Sequence, residues 1–173
     1  MIRSHAMRAA ALVFCLIGLP LAGAAAQPGT QPGTQTRPIE GHENWKLGMP
    51  LAAAEAAEPR AKRSDCAEAI CLHYADERFP SAQIGVSSRF NDADALDVII
   101  VSMAVKPGDN RCKRLYVQLA AFYTAAHGDT LPVSPESWVW SSPEASLTLL
   151  NDCTAGEGGV INILFEATAG GAG

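Results

Sequence analysis

Five cysteines, Cys15, Cys66, Cys71, Cys112 and Cys153, constrain this chain more than any other feature. Cys15 lies inside an apolar opening segment. The other four form an even set beyond it. In a chain that leaves the cytosol, an even set reads as a disulfide framework. Four cysteines allow three pairings, of which Cys66–Cys71 with Cys112–Cys153 is favoured. The first bridge closes a short local loop. The second ties the apolar face of a helix to the end of a strand. On the chain-entropy model the long closure contributes roughly 4 kcal/mol and the short one roughly 2 kcal/mol. The spacing C-A-E-A-I-C is neither the close pair of a zinc site nor a C-x-x-C dithiol opening a helix. Structural bridges are expected, with no metal and no cofactor.

Export is read from the amino terminus. Arg3, His5 and Arg8 form a basic start, residues 9–21 are almost wholly apolar, and G-A-A-A precedes Gln27. That order is the order of a secretory signal, cut after Ala26. The apolar stretch falls short of the ~20 residues that span a bilayer. Phe14 stands before Cys15 where a lipid-modified cysteine needs a small residue, so no membrane anchor is expected. Removing residues 1–26 takes away Arg3 and Arg8 and no acid. The 13 basic residues become 11 against 18 acidic ones, and the charge moves from -5 to -7. Such a chain lacks the basic face that nucleic-acid phosphates require. Another envelope protein, met in the periplasm or outside the cell, is the expected partner.

With 48% hydrophobic and 18% charged residues, the mature chain can bury one ordinary core. Residues 27–44 double the phrase Q-P-G-T and carry few apolar side chains, so they read as a flexible leader. Residues 45–168 are expected to form a single domain, and the glycine-rich residues 169–173 a disordered tail. A short helix follows Pro50. Ile70, Leu72 and Tyr74 alternate with Cys71 and His73, and Ile84, Val86, Ser88 and Phe90 also share a face, which predicts strands. The near-continuous run 96–105 predicts a central strand covered on both faces. Cys112, Leu115, Leu119, Phe122 and Ala126, widened by Tyr116 and Tyr123, predict a helix over 110–127 with its apolar stripe inward. Asp109 or Asn110 is its expected N-cap and Gly128 its stop. Three more strands follow. The expected fold is α+β, a mainly antiparallel sheet packed against two helices in the order α-β-β-β-α-β-β-β.

Chemistry is sparsely marked. The chain has no G-x-S-x-G, H-E-x-x-H, phosphate-loop or dinucleotide fingerprint. His73 with Asp76 or Glu77 is the one arrangement that suits a hydrolase, and no nucleophile is marked for it. Asp92, Asp94 and Asp97 lack the glycine and terminal glutamate of a calcium loop. Trp138 and Trp140 are two apart on one strand face and are the candidate binding residues, set against packing beneath the helix. The loops 106–110 and 154–159 are candidate plugs for an inhibitor of a cell-wall or defence enzyme.

The segment W-K-L-G-M-P-L-A-A-A-E-A-A-E-P, beginning at Trp45, resembles the opening of small envelope proteins related to β-lactamase inhibitor protein and to the small lipoprotein of the outer-membrane β-barrel assembly machinery. The shared phrase is Gly-Met, a cap and a short helix with apolar spacing. Pro50 stands where those proteins have Ser or Thr. The resemblance implies a noncatalytic α+β module that binds protein through an exposed sheet face.

Overall fold

The computed structural model describes residues 36–66, 69–77, 82–107, 110–130, 132–154 and 158–168. The expected signal segment, the leader up to residue 35 and the tail 169–173 lie outside the described residues. The described chain opens with β1 (Gly41–His42), β2 (Trp45–Lys46) and helix α1 (Leu51–Ala57). Strands β3 (Lys62–Cys66), β4 (Ala69–Asp76), β5 (Ala82–Phe90) and β6 (Leu96–Val105) follow. Helix α2 (Arg111–His127) leads to β7 (Pro132–Ser134), β8 (Ser137–Ser141), β9 (Ala145–Thr154) and β10 (Gly158–Ala167). Strands β1 and β2 form a separate hairpin, and the other eight form one sheet in the order β3-β4-β5-β6-β10-β9-β8-β7. Every neighbouring pair is antiparallel.

The expected class, α+β with an antiparallel sheet and two helices, is observed. The expected order is corrected: the small hairpin precedes α1, and four strands follow each helix. The strands that the apolar pattern misses are β3 and β7, at the two edges of the sheet. Lys62, Arg63, Ser64 and Asp65 are all exposed, so β3 has no apolar face to show. Polar side chains and proline are common at sheet edges because an edge strand need not bury a face or donate every N–H.

Alternation sorts the sheet into two unlike faces. On the inner face, Tyr74, Val86, Val101, Ile163, Leu149 and Trp138 form one row across six strands. Leu72, Ser88, Ile99, Phe165, Leu147 and Trp140 form the next. Helix α2 packs over β8, β9 and β10. The hairpin and α1 cover the other half of the same face. Trp45 is buried, donates from Nε1 to the Ala54 carbonyl at 3.0 Å, and meets Tyr74 edge-on at 5.2 Å. Gly41 has φ +141°, and a Cβ there would collide with the Trp45 carbonyl oxygen, so the hairpin needs glycine at this position.

Three expectations change. Strand β6 is central but only partly covered on its outer face: Ile99, Val101, Met103 and Val105 are buried on the inner side, while on the outer side Val98 is buried, Ile100 and Ser102 are half-buried and Ala104 is exposed. Both helices lie on the inner side, which leaves the outer residues without a helix over them among the described residues. In α2 the buried residues are Cys112, Tyr116, Ala120 and Tyr123, while Phe122 is 62% exposed. The apolar stripe is wider than the contact, and the helix settles on its aromatic side. Residues 36–44, expected as part of the leader, also belong to the fold. The Arg37 N–H donates to the Ala126 carbonyl at 2.7 Å, and Ile39 is buried. Ile39 belongs to the hydrophobic core, a role that the leader's polar composition hides. Asn110 does hold the N-cap position of α2, in a left-handed conformation (φ 53°) and without a side-chain capping bond.

Both favoured bridges are present: Cys66–Cys71 with Cα atoms 5.9 Å apart and Cys112–Cys153 at 5.6 Å. The second pins the start of α2 to the end of β9. Loop lengths predict that Cys112→Ser/Cys153→Ser costs about 4 kcal/mol and Cys66→Ser/Cys71→Ser about 2 kcal/mol. Urea denaturation of the two double variants checks this order.

Candidate functional site

The two tryptophans share a face, as their spacing requires, but that face is the inner one. Trp140 is buried and Trp138 half-buried, their rings stacked with centroids 6.1 Å apart. Trp140 also packs against Tyr123 of α2 at 5.7 Å. The Trp140 indole N–H is buried without a hydrogen-bond partner among the described residues. The pair is therefore built into the core beneath α2.

His73 and Asp76 do not meet in one site. Three residues apart on β4, they lie on opposite faces, with His73 exposed outside and Asp76 buried inside. Asp92, Asp94 and Asp97 are likewise divided. Asp97 accepts a forked pair of bonds from Arg89 at 2.8 and 3.1 Å, while Asp92 and Asp94 share a shallow cleft with Asp65. The Asp97 carboxylate holds the Arg89 guanidinium above its ordinary range, through hydrogen bonding first and charge second. The loops 106–110 and 154–159 fall partly outside the described residues.

Three other surfaces emerge. The first is the outer sheet face. One row runs His73, Ser87, Ile100, Leu164, Thr148 and Val139. The next runs Ala75, Gly85, Ser102, Asn162, Leu150 and Ser137, with Ser102 Oγ donating to Asn162 Oδ1 at 2.7 Å. From β5 across to β8, neither row carries a charged side chain. Arg89, Glu166 and Asp152 lie on the flanking rows. No motif marks this face. Its signal is the set of small, hydroxyl and branched residues that alternate with the core residues.

The second surface is a groove of about 400 Å³ between α2 and residues 37–46. Phe122, Tyr123 and Phe165 form an aromatic wall, and Lys46 pairs with Glu40 at 3.1 Å on the rim. His127 Nδ1 donates to the Arg37 carbonyl at 2.8 Å, because a carbonyl can only accept.

The third is a cleft of about 660 Å³ at the sheet edge, lined by Arg60, Lys62, His73, Tyr74, Ala75 and Glu77. Arg60 is already engaged. Its Nε and Nη2 donate to the two Glu58 oxygens at 2.7 and 2.8 Å, and its guanidinium lies 4.9 Å from the Tyr74 ring centroid. These bonds hold Arg60 above its ordinary range. Lys62 and His73 are cross-strand neighbours.

The chain matches no protein-family model, no curated protein and no solved structure. Among the described residues no helix is long and apolar enough to cross a membrane, and no three His, Cys, Asp or Glu side chains converge as metal ligands.

The aromatic cluster beneath α2 makes a testable pH signature. Burial pushes the Tyr123 phenol up to about 12. Unfolding returns it to about 10. Because the folded value is the higher one, this contribution is complete below pH 10 and is lost as pH rises toward 12. By pH 11 the loss is about 1 kcal/mol. Tyr123→Phe should remove that part of the decline. The slope that remains belongs in part to Tyr74, which burial first and nearby carboxylates second also raise to about 12. Urea unfolding at pH 8, 10 and 11 measures both.

Proposed function

We propose that the protein is an exported, noncatalytic module that binds another envelope protein through the outer face of its sheet. The observation that carries this reading is the one-sided architecture. The helices and the hairpin occupy the inner face, and the central outer rows from β5 to β8 present Ile100, Leu164, Leu150 and Val139 among serine, threonine and asparagine. Interface centres are depleted of charge and keep their ions at the rim, which is how Arg89, Glu166 and Asp152 are distributed here.

The amino-terminal segment and the paired cysteines support export, since disulfides persist in oxidising compartments. A periplasmic or secreted location follows from the same features. The resemblance at Trp45–Pro59 supports sheet-face recognition as well. Catalysis by His73 finds no partner in Asp76, which is buried on the opposite face; Glu77 lines the same cleft as His73, but no nucleophile is marked beside them.

The experiment uses the oxidised, signal-free protein as bait in an envelope extract, beside Leu164→Arg. The reading expects a discrete partner retained by the native protein and reduced at least tenfold with Leu164→Arg, while the urea midpoint of the variant stays close to native. An identical capture by both proteins would overturn it. So would a self-associated form, seen by sedimentation, that Leu164→Arg dissociates, because the face would then belong to a homodimer.

A further inference from the structure

We infer that the overhang of β4 beyond β3 is a docking slot for an extended peptide with a free carboxyl terminus, which joins the sheet as a strand in line with β3. This goes beyond the outer-face reading and rests on the backbone edge of β4, which adjoins the β5 end of the outer rows.

Strand β3 pairs with β4 only from Ala69 to His73, where Lys62 is the last partner. Strand β4 continues through Asp76. Along an antiparallel strand the N–H and C=O of one residue point to the same neighbour, and those of the next residue point the other way. The phase is set by the turns. The Asn91 N–H donates to the Ala95 carbonyl at 2.9 Å, so odd residues of β5 address β6 and even ones address β4. The bond from the Ser142 N–H to the Ala145 carbonyl, at 2.8 Å, gives the same phase when carried across β9, β10 and β6. Tyr74 pairs with Val86 and Asp76 with Ile84, so those even residues spend their bonds on β5. Ala75 therefore aims both backbone groups at the side that β3 has vacated. Among the described residues neither group has a partner.

The opposite edge of the sheet is treated differently. There the Val139 carbonyl, in the same phase on β8, accepts a bond from Thr130 Oγ1 at 2.7 Å, and Pro132 leads the edge strand. At that edge a side chain meets the Val139 carbonyl, whereas the β4 overhang leaves a gap that adjoins the 660 Å³ cleft.

The chemistry around the gap selects an occupant. A strand in line with β3 runs antiparallel to β4, so its carboxyl end arrives at Lys62. Lys62 and His73 stand side by side there on the outer face, and among the described residues neither side chain has an ion pair or hydrogen bond. The Arg60 guanidinium, already bonded to Glu58, and Glu77 also line the cleft, and Glu77 follows Asp76 at the far end of β4. A terminal carboxylate fits the first end, and a basic residue upstream fits the second. The peptide's last side chain would stand beside Ala75 and Gly85 in the outer row. A Cβ added at Gly85 meets nothing within 4 Å, so this row has room for a bulky terminal residue.

The test starts from a random octapeptide library displayed with free carboxyl termini and selected on the oxidised protein. The expected winners end in a bulky residue and lose at least tenfold in affinity on amidation. Lys62→Glu should weaken them at least tenfold. Gly85→Phe, whose Cβ meets nothing within 4 Å, should block them. The Ala75 amide should exchange rapidly in the free protein and become protected in the complex. Leu164→Arg should leave peptide affinity unchanged, which separates this slot from the outer face. Enrichment no better than on Gly85→Phe would overturn the inference and leave Lys62 and Arg63 as guards against edge pairing. Equal binding of amidated peptides, or an Ala75 amide left unprotected, would overturn it too.

Discussion

Side chains alternate across a pleated strand, so a sheet clad by helices on one side must leave every second residue outside. That constraint organises this molecule. Rows such as Leu72–Ser88–Ile99–Phe165–Leu147–Trp140 need a cover, and α1, α2 and the amino-terminal hairpin supply it together. Once they are committed to the inner face, no further helix among the described residues covers the outer one. Its central residues are small, hydroxyl-bearing or branched, because they have to tolerate water and still hold the strand conformation.

The Cys112–Cys153 bridge makes the cover permanent. It joins the first turn of α2 to β9 at the point where β9 ends. From that pin the helix crosses β9 and β10 until Tyr123 meets Trp140 and Phe165. The Arg37–Ala126 and His127–Arg37 hydrogen bonds then tie the far end of α2 to the segment that precedes β1. A helix held at both ends can leave Phe122 and Val117 exposed without drifting off its seat.

The two edges of the sheet show how unequal such a structure can be. Hydrogen-bonding groups at an edge are satisfied by side chains, by water or by another chain. Thr130 meets the Val139 carbonyl at one edge, whereas β3 stops short of Ala75 at the other. The mismatch in length between β3 and β4 is the feature from which the proposed peptide slot arises. It has no counterpart in residue type, since Ala75 and Lys62 are ordinary residues taken singly.

The alternation Ile70/Leu72/Tyr74 and Ile84/Val86/Ser88/Phe90, the helix ending at Gly128 and the favoured cysteine pairing were all legible from the chain, because local periodicity and loop length act on neighbours. The edge strands β3 and β7 were not, since an edge needs no apolar pattern. Nor was the true seat of α2, because Leu115, Leu119 and Phe122 offer a flank nearly as apolar as the one that is buried. The spacing of Trp138 and Trp140 established that they share a face, but which face the helix would cover was decided only by the tertiary structure. Sequence by itself determined the strands, the long helix and the covalent staples. Tertiary structure decided which side of the sheet became interior and where an edge stayed open, because both depend on packing between residues far apart in the chain.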